Sequence, residues 1–375
     1  MNLELADRMK IAYKKLKATI YFDKTQLPLR DQLVTYESGG IESQLKTLTE
    51  KLTGSEDDWS AFTDGILNSV SAFVFPKALE PIPENMVILN SSSTPIRMAK
   101  PQFFIDLPVN GHILGVLWVL SVGRMLDKNC EDDTDGMYEH SYGNRLKKNL
   151  VNPKSGDITY SPYLFEPYFS QYESWRDRGL ERAKERLNDK QDAVILTLDL
   201  KSFYYSVDLL KTDFMGFLAS CENPEPWITR VNDFVYRVLC RYSDIIRPIV
   251  RDTELTIENR TILPIGFLPS NILSNWVLTA FDNAIIEQWN PVYYGRYVDD
   301  VIIVDKVEKN SYLYKKAREK DGKKPLTADD VIDMFLRNGT SPILQIFKEE
   351  TNTFGEKTIT YEVNPELFSS PNCHI

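Results

Sequence analysis

Residues 294–304 read Tyr-Gly-Arg-Tyr-Val-Asp-Asp-Val-Ile-Ile-Val. Two adjacent carboxylates interrupt a stretch that is otherwise apolar and aromatic. Such flanks form buried strands, and the break between them sets a tight hairpin with Asp299 and Asp300 at its tip. An aspartate pair is also ordinary turn chemistry. On a rigid hairpin the same two side chains are held side by side, where they can bind divalent cations. This segment alone leaves both readings open.

Three other segments bear on the choice. Residues 193–200, Ala-Val-Ile-Leu-Thr-Leu-Asp-Leu, form a strongly apolar strand that delivers Asp199 to a sheet edge. Five residues on, Tyr204 and Tyr205 can wall a bound sugar, or simply pack the core. Residues 263–270, Leu-Pro-Ile-Gly-Phe-Leu-Pro-Ser, form a loop shaped by Pro264 and Gly266 and lead from Ser270 into a helix carrying Ser274, Asn275 and Asp282. Such a loop can lie against a base pair, although Pro-Gly loops before helices are common. Upstream stands Ser141-Tyr142-Gly143-Asn144-Arg145-Leu146.

In this order the segments resemble motifs A, B and C of the reverse transcriptase family, a strand-borne Asp, Leu-Pro-x-Gly-x-x-x-Ser and Tyr-x-Asp-Asp. Ser141–Leu146 resembles the family's fingers motif, and the clear resemblance covers about residues 95–305. The phrases Tyr-Gly-Arg-Tyr-Val-Asp-Asp and His-Ile-Leu-Gly-Val-Leu-Trp look most like the bacterial antiphage group of abortive-infection and defence-associated reverse transcriptases.

The resemblance implies an α+β right-hand polymerase. Its expected parts are a helical N-terminal extension (1–85), fingers (86–190) and an antiparallel palm sheet (191–305) with a helical insertion near 209–250. A basic segment (306–375) follows, with the thumb absent or not covered. The implied activity is RNA-directed DNA synthesis from dNTPs on a dedicated noncoding RNA, in antiviral defence, using two Mg2+ ions or substituting Mn2+. By resemblance Asp199 and Asp299 bridge both metals, Asp300 is auxiliary, and the Leu200 carbonyl is a further ligand. Tyr204 occupies the steric-gate position. With Tyr205, Ile265, Gly266, Arg97 and Lys100 it would line the dNTP site, while Arg145, Pro264, Ser270, Tyr297 and Val298 would meet template or primer. Tyr297 would pack under the primer end, Arg296 would form a salt bridge within the palm, and Lys348 could act beyond motif C.

Two departures stand out. Ile265 replaces the glutamine that many members carry. Only 75 residues follow Asp300, too few for an evident thumb and primer grip. Both features favour an alternative, template-independent or protein-primed DNA synthesis by the same chemistry. A catalytically silent scaffold and a palm-fold nucleotidyl cyclase are further alternatives.

Composition bounds the rest. Apolar content of 42% and charge of 26% suit a globular chain. The net charge of −10 argues against nucleic-acid binding taken globally, but 306–324 and Arg145, Lys147, Lys148 and Lys154 form local basic patches. Four cysteines without metal-site spacing fit a reducing cytosol. The apolar run 113–122 is too short for a bilayer, which needs about 20 residues, and reads as a buried helix; no membrane partner is expected. His112 reads as a structural histidine. Residues 129–136 loosely resemble a calcium loop but lack the closing glutamate, and read as a solvated acidic loop.

Helices are expected over 3–20, most of 41–78, 163–189, about 209–248 and 270–289. Another is expected after Thr327, with a capping-box-like start and Gly339 closing it. Two short strands are expected in 342–363. The apolar N-terminal 85 residues suggest an interface with a second copy or a partner protein.

Overall fold

A computed structural model describes residues 4–79, 98–127, 140–148, 150–151, 158–159, 161–219, 224–250, 260–318, 326–338, 342–351 and 357–364. The chain divides into two compact units. One is Met1–Trp118 with Pro224–Thr256 and Leu263–Ser270; the other is Val119–Asn223 with Ile257–Ile262 and Asn271–Ile375.

The first unit opens with four helices, Leu5–Phe22, Leu27–Ser38, Ile41–Thr53 and Glu56–Asn68. Met9, Ala12, Leu16 and Ile20 form the buried stripe of the first, as their helical spacing requires. The fourth begins at Ser55, whose Oγ accepts the Asp58 N–H at 3.2 Å. Three acidic residues in its first turn favour the positive end of the helix dipole.

The helix expected to run to residue 78 gives way at Ser71. Ser71–Leu79 and Met98–Asp106 instead form an antiparallel pair. Phe73-Val74-Phe75 is strand-forming by bulk and branching, and Phe73 stacks on Phe104 with ring centroids 5.5 Å apart. The register shifts between Pro76 and Ala78, where proline lacks an N–H for the ladder.

Helix Val109–Trp118 is buried at every residue except Asn110, so it is apolar all round, as a core helix must be. It continues through a π-helical turn, Val119–Gly123, into Arg124–Leu126. The whole 18-residue stretch is long and apolar enough to cross a membrane, longer than the run evident in the sequence, but 67% of it is buried within the fold.

Helix Pro226–Val250 buries Val231, Phe234, Val235, Val238, Leu239, Tyr242 and Ile246 on one stripe. Arg230 Nη1 caps the end of Ile41–Thr53 by donating to the carbonyls of Leu52 and Gly54 at 2.8 and 2.9 Å. The single helix expected over 209–248 is therefore broken. Leu209–Leu210 pairs as a strand with Arg260–Thr261, and a short helix Lys211–Gly216 precedes the long one.

The second unit is built on a three-stranded antiparallel sheet, with Asp300–Val307 between Asp192–Asp199 and Tyr293–Tyr297. Helix Tyr168–Asn188 covers one face, setting Trp175 and Ala183 against Ile302 and Val304. Gly179 permits that approach: a Cβ there would lie 3.1 Å from both Ile302 and Tyr293. The helix expected over 270–289 is divided into Leu268–Trp276, Thr279–Ala284 and a π-helical turn, Ile285–Trp289.

Further on, Ala328–Phe335 starts with the expected Thr327–Asp330 capping box. Leu344–Thr351 pairs antiparallel with Lys357–Val363. Gly339 and the acidic segment 129–136 lie outside the described residues. The mixed helix-and-sheet character, with small antiparallel sheets, agrees with the α+β expectation.

Candidate active site

The sheet register places Asp199 directly opposite Asp300, the last pair between their strands. Opposed residues project from the same face with Cβ atoms about 4.5–5.5 Å apart. One step beyond, Leu200 N–H donates to the Asp299 carbonyl at 3.2 Å. Tyr297 pairs with Asp300, which leaves Val298 and Asp299 as a two-residue hairpin loop. Asp199 is exposed, and Asp299 and Asp300 are half-buried.

Val298 has φ +57°. Two-residue hairpins require positive φ at that position, which usually selects glycine, and a β-branched residue there is strained. The surroundings hold it in place. Arg296 Nη1 donates to the Val298 carbonyl at 2.8 Å. Gly143 presses against the turn: a Cβ on it would sit 2.7 Å from Val298 Cγ2 and 3.0 Å from Val298 N.

Arg296 is fully buried. Its Nε and Nη2 form a fork on the two carboxylate oxygens of Asp282, at 2.9 and 2.8 Å. Asp282 also accepts from Tyr294 Oη. Arg296 Nη1 reaches Asn275 Oδ1 at 3.2 Å, and Asn275 Nδ2 donates to the Gly143 carbonyl at 2.8 Å. Ser141 Oγ donates to Asn275 at 3.0 Å, and Tyr142 N–H to the Arg296 carbonyl at 2.8 Å. The segment Ser141–Gly143, the helix residues Asn275 and Asp282, and the hairpin are thus one hydrogen-bonded assembly. The expected Arg296 salt bridge is present. Sequence reasoning missed its partner and the supporting roles of Gly143 and Asn275. The one available signal is a lone arginine within a buried strand, a charge that demands a partner.

Tyr204 is half-buried, with Oη 3.4 Å from Asn271 Oδ1. Burial, with a smaller contribution from the Asp299 carboxylate, pushes its phenol up to about 12, against hydrogen bonds from Ser274 and Asn144. Tyr205 N–H donates to the Ser202 carbonyl at 2.9 Å. Tyr297 packs against Tyr172, Tyr168 and Trp175 with centroids 5.4, 5.8 and 6.0 Å apart. Burial raises its phenol pKa.

Arg145 has a different environment from the open phosphate contact expected. It is buried, its Nε and Nη2 meet Asp127 at 2.8 and 2.6 Å, and its Nη1 donates to the Ser141 carbonyl at 2.9 Å. A charge sunk in the fold needs such pairing, so Arg145 anchors the segment that supports the hairpin. Lys348 is paired with Glu350 at 2.5 Å. Arg97 and the Lys100 side chain lie outside the described residues; the Lys100 backbone belongs to strand Met98–Asp106. Pro264, Ile265, Gly266 and Ser270 belong to the first unit. There the Ile105 N–H donates to the Ile265 carbonyl at 2.9 Å, Pro264 and Ser270 are buried, and Gly266 adopts φ +89°.

Among the described residues, no three His, Cys, Asp or Glu side chains are gathered into a group that could hold a metal ion. The strand register nevertheless brings Asp199, Asp299 and Asp300 to one hairpin tip, and carboxylate oxygens are the hard donors that magnesium takes, with the rest of its positions left to water and phosphate.

A family model described as Reverse transcriptase (RNA-dependent DNA polymerase) matches residues 121–323, more than half of the chain and inclusive of all three aspartates. That match gives the class, a nucleotidyltransferase. The chain belongs to the reverse transcriptase (RNA-dependent DNA polymerase) family. A search of curated proteins finds no match to it.

Proposed function

We propose that this chain copies RNA into DNA, joining deoxynucleotides at the hairpin tip formed by Asp199, Asp299 and Asp300. The observation that carries the reading is the register pair Asp199–Asp300, with Asp299 in the adjoining loop. Asp199 and Asp299 would hold magnesium, or manganese in its place, aided by Asp300 and the Leu200 carbonyl. Bound there, the metal supplies positive charge for activating a primer 3′-hydroxyl and steadying the departing pyrophosphate.

The protein groups have separate tasks. The Arg296–Asp282 fork and Gly143 hold the loop, so the carboxylates keep their spacing without reorganisation. The Tyr204 ring, close to Asp299, crowds a ribose 2′-hydroxyl and selects deoxynucleotides. Its raised pKa keeps it a neutral phenol, so it does not add a negative charge beside the triphosphate. Tyr297 carries the primer end.

The biological setting in this reading is bacterial antiviral defence, with a dedicated noncoding RNA as template; its support is the resemblance of Tyr294–Asp300 and His112–Trp118 to the antiphage group. The apolar N-terminal helices would meet a second copy or a partner protein. Ile265 favours a second reading, in which template contact is reduced and synthesis is template-independent or protein-primed.

Labelled dNTPs supplied to the purified protein test these readings. RNA-directed synthesis predicts polymer that requires RNA and is lost on RNase treatment. Polymer that survives RNase supports the second reading. A small cyclic product, or no incorporation with magnesium and RNA present, rejects both.

A further inference from the structure

Three large aromatics stand unusually open where the chain enters helix Tyr168–Asn188: Tyr163, Tyr168 and Phe169 are 45%, 65% and 66% exposed. Isolated exposed apolar residues need no explanation. These three lie within seven positions, and the row to which Tyr168 belongs leads to the reaction centre. Tyr168 stands edge-on to Tyr297 at 5.8 Å and 5.9 Å from Tyr172. Tyr297 is in turn the strand partner of Asp300 at the hairpin. Contacting rings therefore run from the hairpin outward and end in an exposed one.

Leu146 bridges Phe165 antiparallel, and the Lys147 N–H donates to the Leu164 carbonyl at 2.9 Å. That register brings Lys148 alongside Tyr163. Lys147 and Glu166 pair at 2.6 Å, so each cancels the other's charge. Exposed rings continuous with a ring packed beside the hairpin match a polynucleotide, whose bases offer π-faces.

We propose that Tyr168, flanked by Phe169 and Tyr163, is a stacking platform for unpaired bases of single-stranded nucleic acid beside the reaction centre. The proposal rests on the polymerase reading above and adds the place where a single strand is held. Stacking on a ring is indifferent to base identity, so the platform binds strands without sequence preference.

The test uses the full chain and fluorescence anisotropy with labelled single-stranded 12-mers, in normal form and with abasic sites. Tyr168→Ala should weaken binding of the normal strand by about 5- to 150-fold, the range for one lost base stack. Tyr168→Phe, which keeps the ring, should bind as the native chain does. Abasic strands should bind weakly to the native chain and no more weakly to Tyr168→Ala. The proposal is overturned if Tyr168→Ala binds the normal strand like the native chain, if abasic strands bind as well as normal ones, or if the native chain does not bind single strands. It is also overturned if Tyr168→Phe loses binding as fully as Tyr168→Ala. Native incorporation of dNTPs, measured in parallel, separates the two readings: incorporation with an inert Tyr168 rejects the platform alone, and its absence rejects the polymerase reading.

Discussion

Arg296 reaches past Tyr297 to donate to the carbonyl of Val298 at 2.8 Å while its other nitrogens grip Asp282. A buried charge pair thus terminates on the backbone of the loop that presents Asp299. Removing one member of such a pair leaves the other charge buried and unpaired, at about 3–5 kcal/mol. Arg296→Lys cannot form the two-pronged contact and should also destabilise. Urea unfolding should show a large loss for Arg296→Lys and Asp282→Asn, and a smaller loss for the double change Asp282→Leu with Arg296→Met. Equal losses in single and double variants would refute the pairing argument.

The Asp199–Asp300 register sets like charges face to face, which is unfavourable without a cation. Asp199→Asn should therefore melt at a temperature equal to or above the native chain in EDTA. Magnesium should raise the native melting temperature by mass action and leave Asp199→Asn nearly unmoved. Incorporation should be abolished in Asp199→Asn and Asp299→Asn, and reduced in Asp300→Asn. A native melting curve indifferent to magnesium at millimolar concentration would count against metal binding at the hairpin.

Tyr204→Ala should accept ribonucleotides more readily, measured as the ratio of kcat/KM for dNTP over NTP. The phenol is pushed up to about 12, mainly by burial, so it stays neutral through the usual assay range. In the native chain that ratio should hold constant from pH 7 to 9. A pH-dependent ratio that persists in Tyr204→Phe would exclude the phenol as its source.

Gly143→Ala would place a methyl 2.7 Å from Val298 Cγ2 and 3.0 Å from the Val298 nitrogen. The nitrogen cannot rotate aside, so the loop itself must move. Misplacement of about 1 Å in a reacting constellation can cost on the order of 100-fold in rate. Single-turnover incorporation should fall by that order in Gly143→Ala. An unchanged rate would show that the loop tolerates displacement.

His112 is buried in helix Val109–Trp118, edge-on to Phe267 at 6.2 Å, and burial lowers its pKa from 6.5 to about 3. The unfolded chain takes up a proton below pH 6.5 that the folded chain refuses. The stability associated with neutral His112 is thus complete above pH 6.5 and falls as the pH drops towards 3, by at most about 1.4 kcal/mol per pH unit. Melting curves from pH 7.5 to 5 should decline more steeply for the native chain than for His112→Phe. Parallel slopes would contradict this origin.

The hairpin, its partner strand and the helix before them are legible because their signals are local. Apolar runs mark 193–200 and 292–304, and the helix expected over 163–189 forms as Tyr168–Asn188. Ser71–Leu79 escapes such a reading because the helical spacing before it carries on through Phe73-Val74-Phe75, whose branching and rings favour a strand. The pairing of Arg296 with Asp282, and of Arg145 with Asp127, depends on which distant residues the fold brings together. No local pattern encodes that choice. A buried arginine announces that it needs a carboxylate without naming which one.

The hydrogen bonds joining Ser141, Gly143, Asn275, Asp282 and Arg296 have an evolutionary corollary. These residues lie far apart along the chain and serve one loop. A change at any one of them alters what the others can accommodate, so accepted substitutions should arrive in compensating sets. Descendants of such a protein could diversify their surfaces freely while this small group drifts in concert or not at all.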